Sequence, residues 1–142
     1  MGLKFGVHIE PQVGYTYEQD RIIAKEAENL CYDSFSCSDH IFLDEYSAER
    51  NCLEAWTLLS ALAVETKSIR LGTLVTCNSY RHPALVAKIA ASIDMISNGR
   101  LWFGYGSGWK EIEYTAYGYD FPNIQVRMDM MEEALEIKAS LD

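Results

Sequence analysis

The chain has 142 residues, 49% of them hydrophobic, with 12 basic against 21 acidic side chains and a formal net charge of −9. That length suits one domain with one core, burying roughly 70% of the unfolded surface. The acidic balance, with its basic residues scattered, repels phosphate backbones and anionic lipid and argues against nucleic acid and membrane partners. No stretch approaches the roughly 20 apolar residues of a membrane span, and MGLKFGVHIEPQ lacks an apolar run followed by a small-residue cleavage site, so a cytoplasmic location is expected. Cys31, Cys37, Cys52 and Cys77 form no C-x-x-C pair and no zinc-like spacing; they are expected to be reduced, packed thiols, with no metal site.

In chain order, LKFGVHI reads as a first buried strand, followed by a helix over TYEQDRIIAKEAENL. Thr16 and Gln19 are placed to form a capping box, and Ile23, Ala27 and Leu30 recur on one face. DSFSCSDHIF, running into Leu43, reads as the second strand. CLEAWTLLSALAVET is apolar around most of a helical circumference, as expected for a helix pressed onto a sheet, and Lys67-Ser68 closes it. IRLGTLVTC is the third strand, and the helix after it opens at Pro83 and stops at Asn98-Gly99. RLWFGYG is the fourth strand. A last helix from about Asn123 to Leu141 puts Met130, Ala134, Ile137 and Leu141 on one stripe, with Glu132, Glu133 and Glu136 facing water.

Successive strands begin roughly 30 to 35 residues apart, the length of a strand–helix–strand unit, which predicts an α/β fold with a parallel sheet under helices. Four such strands leave two apolar edges that natural proteins cover or pair, so a further segment is expected, and Asp142 falls directly after the fourth helix.

Ligands of parallel α/β proteins meet the C-terminal ends of the strands. Those ends read HIEPQ, SDHIF, LVTCNSYRH and GYGSGWKE, and they carry all three histidines. The opposite ends carry ordinary connectors such as Glu65-Thr66-Lys67 and Ser97-Asn98. Asp39 and His40 end an otherwise small and apolar run, where burial costs free energy unless something offsets it. Neighbours in a strand point to opposite faces, which disfavours a direct Asp-to-His bond unless the strand has already ended. Two readings remain open: Asp39 as a turn cap beside a half-buried His40, or His40 as a donor or proton shuttle in a polar mouth. Gly104, Gly106 and Gly108 follow a strand, but Trp109 stands where a dinucleotide fingerprint needs glycine, so that match fails. The glycines read either as a tight turn or as backbone close to a flat ligand walled by Trp109; Arg81, taken as unpaired, reads as a helix start or a fork for an anion. Glu10 reads as a surface acid.

Together, SDH at 38–40, LGTLVTCNSYRHPALVAK at 71–88, DMISNGRLWFGYGSGW at 94–109, and the later YGYDFP and RMDMMEEALEI resemble the bacterial luciferase-like monooxygenase superfamily, especially its coenzyme F420-dependent branch, which includes methylenetetrahydromethanopterin reductases. The resemblance covers nearly the whole chain. It implies the first half of a TIM-type (β/α)8 barrel, a single luciferase-like domain over residues 1–142 that is incomplete by itself, and either a missing C-terminal half-barrel or a homo-oligomer. It places Asp39 and His40 beside the deazaflavin ring, with His40 as the catalytic residue. It also implies a non-proline cis peptide at Leu74-Val75 behind the ring, with Thr76, Asn78, Gly106, Ser107 and Gly108 near the ring or its side chain. Trp109 stands where some relatives of this branch carry a glutamate acid, so the acid must come from elsewhere. The implied activity is hydride transfer between F420 and a small organic substrate. The alternatives are an FMN-dependent monooxygenase on the same scaffold and a non-catalytic flavin-binding half-barrel; SDH favours F420, since flavin-dependent luciferases more often carry EH at that place.

Overall fold

The computed structural model describes residues 2–42, 44–46 and 49–139; Leu43, expected at the end of the second strand run, and Leu141, expected on the last helix stripe, lie outside them. Four strands, β1 (Gly6–Ile9), β2 (Ser34–Cys37), β3 (Arg70–Cys77) and β4 (Leu101–Gly106), pair in parallel in the order β1-β2-β3-β4. Helices α1 (Tyr17–Asn29), α2 (Ala55–Glu65) and α3 (Pro83–Ser97) connect them, and α4 (Glu111–Tyr117) and α5 (Ile124–Ala139) follow β4. This is the parallel β/α arrangement expected for the first half of a barrel. Among the described residues, β1 and β4 have no further strand beside them.

Local signals set the helix limits. Thr16 and Gln19 form the capping box at the start of α1, the Thr16 hydroxyl accepting from Gln19 N–H at 3.3 Å and the Gln19 carbonyl from Thr16 N–H at 2.9 Å. The Glu54 carboxylate accepts from Thr57 N–H at 2.7 Å, so α2 starts at Ala55, three residues inside the expected run. Pro83 occupies the first turn of α3, and Asn98 and Gly99, both left-handed at φ 58° and 76°, end it.

The core lies between α2, α3 and the sheet, where Trp56, Leu58, Leu59, Leu62, Ile69, Leu71, Phe35 and Ile93 are buried. Two stripes differ from expectation. On α1 the buried residues are Asp20, Ala24 and Ala27, while Ile23 is half-buried and Leu30, the C-terminal cap, is exposed. Small residues let this helix lie close to the sheet, and burial pushes the Asp20 carboxyl up to about 6. On α5, Ala134 is buried but Met130 and Ile137 are exposed at 41% and 39%. The inward position expected of an apolar residue is held partly by Arg127, buried with its guanidinium 4.2 Å from the centre of the Phe121 ring.

The four cysteines are free thiols. Cys37 and Cys77 are buried and Cys52 is half-buried, whereas Cys31, expected to be packed, is exposed in a left-handed turn just past α1. Among the described residues no helix is long and apolar enough to cross a membrane, and no cluster of three His, Cys, Asp or Glu side chains is arranged to hold a metal ion.

The N-terminal ends of the strands are fastened by two polar side chains. Buried Arg100 donates to the Ser97, Ile69, Ala63 and Thr66 carbonyls and to the Thr66 hydroxyl at 2.7–3.1 Å. Glu28 accepts from the N–H groups of Lys67, Ser68 and Ile69 at 2.8, 2.6 and 3.0 Å. Partial burial works to raise the Glu28 carboxyl, but those backbone donors outweigh it and hold it down at about 2 against an ordinary 4.5. A lowered carboxyl stabilises the fold above its ordinary value and loses that contribution as pH falls towards its folded value. Glu28→Gln is therefore expected to cost about 1 kcal/mol at pH 7, half-exposure limiting the loss. That difference from wild type, read from urea midpoints, should shrink as pH drops below about 4.5 and vanish near about 2.

Candidate active site

β2 ends at Cys37, so Ser38, Asp39 and His40 lie in irregular chain just past the strand and escape its alternation. Asp39 turns towards the end of β3. Its Oδ2 accepts from Cys77 N–H at 2.9 Å and from Arg81 Nη1 at 2.7 Å, and its Oδ1 from Arg81 Nη2 at 2.8 Å. Arg81 also reaches the Glu54 carboxylate. The fork read as a free anion receptor is thus occupied by two carboxylates, because the loops after β2 and β3 fold together above the sheet. Burial works to lower the Arg81 guanidinium, and the bonds and charges of Asp39 and Glu54 outweigh it, so Arg81 stays charged.

His40 turns the other way. Its Nδ1 lies 2.8 Å from Glu113 Oε2, and its side chain is about one-fifth exposed. Glu113, on α4, is fully buried. Its Oε2 also accepts from the Tyr80 hydroxyl at 2.6 Å, and its Oε1 accepts from Ile41 N–H at 3.0 Å, Phe42 N–H at 3.3 Å and Lys110 Nζ at 3.5 Å. Lys110 Nζ donates as well to the Phe42 carbonyl at 2.7 Å. Burial works to raise the Glu113 carboxyl, yet the bonds from His40 and Tyr80 hold it below its ordinary value. Burial, then the bond to Glu113, drives the Tyr80 phenol far above its ordinary range, so it remains a donor.

Around His40 opens a cleft of about 150 Å³, lined by Asp39, Leu74, Val75, Thr76, Gly106 and Gly108 among the residues expected there, and by Cys77, Tyr80, Trp109 and Lys110 beside them. The Leu74-Val75 peptide is cis, as the resemblance implied, within the break in the β3–β4 register between Thr73 and Thr76. Leu74 and Val75 are exposed at 61% and 41%, an apolar shelf without protein cover. Trp109, 70% exposed, meets the His40 ring edge-on at 5.6 Å. Gly108 has φ +78°, and a Cβ there would land on the Tyr114 hydroxyl, so the turn after β4 needs glycine.

Not every expected residue reaches the cleft. Asp39 lines it, but its carboxylate is engaged by Arg81 and Cys77 rather than offered to a ligand. Asn78 is buried with its side chain accepting from the Tyr105 hydroxyl, and neither Asn78 nor Ser107 is among the lining residues. Glu10, half-exposed, sits 3.1 Å from His8 Nε2 and accepts from Gln12. Sequence reasoning missed Glu113 and Tyr80. The available signal was the Lys110-to-Glu113 spacing, one helical turn, closed by left-handed Gly118, but seven residues are too few for a legible period.

With this geometry in view, the sequence matches the family described as luciferase-like monooxygenase over residues 3–141, and the chain belongs to that family. It is 31% identical over 115 residues to an F420-dependent glucose-6-phosphate dehydrogenase of Amycolatopsis mediterranei, covering 80% of this chain and 34% of that protein. It is 35% identical over 113 residues to pyrimidine monooxygenase RutA of Pantoea ananatis, covering 76% and 30%. Among solved structures it resembles an F420-dependent secondary alcohol dehydrogenase in complex with an F420-acetone adduct, with TM-score 0.86 and 26% identity over 98% of this chain and 42% of that one. The chain thus spans about a third of the length of the curated relatives it matches.

The Asp39–Arg81 pair makes a testable demand on stability. Arg81→Met leaves the buried Asp39 carboxylate without its main partner and is expected to cost about 3 kcal/mol by urea denaturation. Adding Asp39→Asn to Arg81→Met should recover part of that loss, because no buried charge then remains unpaired.

Proposed function

We propose that these 142 residues form one luciferase-like domain of a cytoplasmic oxidoreductase that transfers a hydride between coenzyme F420 and a small organic substrate. The observation that carries the reading is His40, braced on its Nδ1 side by a buried carboxylate and opening onto a cleft beside an uncovered apolar shelf. The residues present suit the ring of such a cofactor: Leu74 and Val75 offer a flat apolar support, and Gly106 and Gly108 let backbone approach without side-chain obstruction. They suit its anionic tail less, since Arg81 and Lys110, two cations beside this cleft, are engaged by Asp39, Glu54, Glu113 and the Phe42 carbonyl. Residues beyond this chain, from further β/α units or a second copy beside β1 and β4, are to hold that tail.

Bound F420 supplies the hydride chemistry. In this reading, His40 exchanges a proton with the substrate at the atom bonded to the carbon that gains or loses hydride. Trp109 and Tyr80 narrow the approach and keep water from the reacting edge, and Glu113 keeps the imidazole in place. Likeness at 31% to an F420-dependent dehydrogenase supports this cofactor. The comparable likeness to a pyrimidine monooxygenase supports a second reading, oxygenation with FMN on the same shelf.

Separate titrations of F420 and FMN against the full-length protein should show tighter binding of the deazaflavin; tight FMN binding with no F420 binding would reverse the cofactor assignment. With F420 bound, His40→Ala is expected to lower turnover by about 100-fold while cofactor affinity holds. Equal loss of both would recast His40 as structural, and wild-type binding without turnover on any tested alcohol, pterin or enone would favour a non-catalytic binding module.

A further inference from the structure

Five donors converge on the two oxygens of Glu113, and they are not equivalent. Ile41 N–H, Phe42 N–H and the Lys110 ammonium can only donate, and all three meet Oε1. Oε2 faces the Tyr80 hydroxyl at 2.6 Å and His40 Nδ1 at 2.8 Å, two groups whose proton placement is a choice. A carboxylate has no proton to offer, so at 2.8 Å the only favourable arrangement has Nδ1–H donating to Oε2. His40 Nε2 makes no hydrogen bond among the described residues, and the ring borders the cleft.

We propose that Glu113 is a positioning residue that locks neutral His40 in its Nδ1–H tautomer, so that the nitrogen left for the cleft, Nε2, carries a lone pair. This rests on the reading of His40 as the residue that exchanges a proton with substrate. An imidazole held this way takes a proton at Nε2 without turning its ring and returns it from the same atom, while the carboxylate behind it stabilises the imidazolium formed between. The lock extends beyond the pair. Because Oε1 is tied to the backbone of residues 41–42 and Oε2 to Tyr80, which follows β3, Glu113 fixes the imidazole from α4 against the loops after β2 and β3 at once. Substituting glutamine keeps shape and removes the lock. Its carbonyl must stay with the obligate donors of residues 41, 42 and 110, which turns its NH2 group towards Tyr80 Oη and His40 Nδ1. Nδ1 must then accept, and the ring proton moves to Nε2.

The deciding experiment is a two-dimensional nitrogen–proton NMR spectrum of the His40 ring in the full-length protein without cofactor, at a pH where the ring is neutral, for wild type and Glu113→Gln. The expected result is protonated Nδ1 in wild type and protonated Nε2 in the variant. A wild-type ring protonated at Nε2 overturns the proposal even if the variant fails to fold, and so does a folded variant that keeps the wild-type tautomer. In turnover, Glu113→Gln should lower kcat by about 100-fold with KM and cofactor affinity nearly unchanged. A folded variant with the switched tautomer and wild-type kcat would also overturn the positioning role. The tautomer is read without cofactor, so a protein that shows the lock but binds no F420 would sink the hydride-transfer reading alone.

Discussion

A carboxylate taken out of water costs several kcal/mol unless its lone pairs are used, and Glu113 uses them on groups from the loop after β2, the loop after β3 and its own turn of α4. Loops of that kind would otherwise wander, since they carry main-chain groups with no ladder to join. Here the charge gathers them: Ile41 and Phe42 donate from the backbone, Tyr80 from its ring hydroxyl, and His40 lies against the same oxygen as Tyr80. Asp39, one residue before His40, does the same work in the opposite direction, joining the end of β2 to Cys77 and Arg81. The acid and the imidazole at the end of an apolar run are thus two neighbours with separate partners. The strand ends at Cys37, and that end is what lets them diverge.

The two ends of the sheet use buried polar groups differently. At the N-terminal ends of the strands, Arg100 and Glu28 are turned almost wholly onto backbone carbonyls and N–H groups. Such groups close the connections between strands and helices. At the C-terminal ends, His40 keeps one ring nitrogen unpaired among the described residues, and Leu74, Val75 and Trp109 stay exposed at a concave surface. Exposed apolar surface next to an unspent polar atom is the usual makeup of a small-molecule site, and it occurs at the end that parallel β/α folds reserve for ligands.

What could be read ahead of the structure was local. The Thr16–Gln19 box, Pro83 and Asn98-Gly99 act within one turn of chain, so their neighbours in sequence are their partners in space. The parallel sheet was legible for a similar reason, since four apolar runs separated by helical periods admit few other packings. Arg81 was misread because the side chains that engage it lie 42 and 27 residues away. Helix α4 went unseen because seven residues show no clear period, and Glu113 was hidden with it. The stripe on α5 was right at Ala134 and not at Met130 or Ile137, whose exposure depends on what lies against the helix rather than on its own pattern.

The residues around His40 divide along the same line. Composition, strand spacing and the glycine-rich turn after β4 put the site at one end of a parallel sheet, and the family resemblance put His40, Leu74-Val75 and Gly106 to Gly108 within it; these follow from residue types in linear order. Which of them face the cleft, and which are turned into the protein, followed only from folding. Asn78 became a buried acceptor for Tyr105, Asp39 became a brace for β3, and an acid 73 residues from His40 arrived at 2.8 Å from its ring. Hydrogen bonds and ion pairs between distant segments leave no periodic trace in a chain, because each requires only that two groups meet once, at a place set by the packing of everything between them.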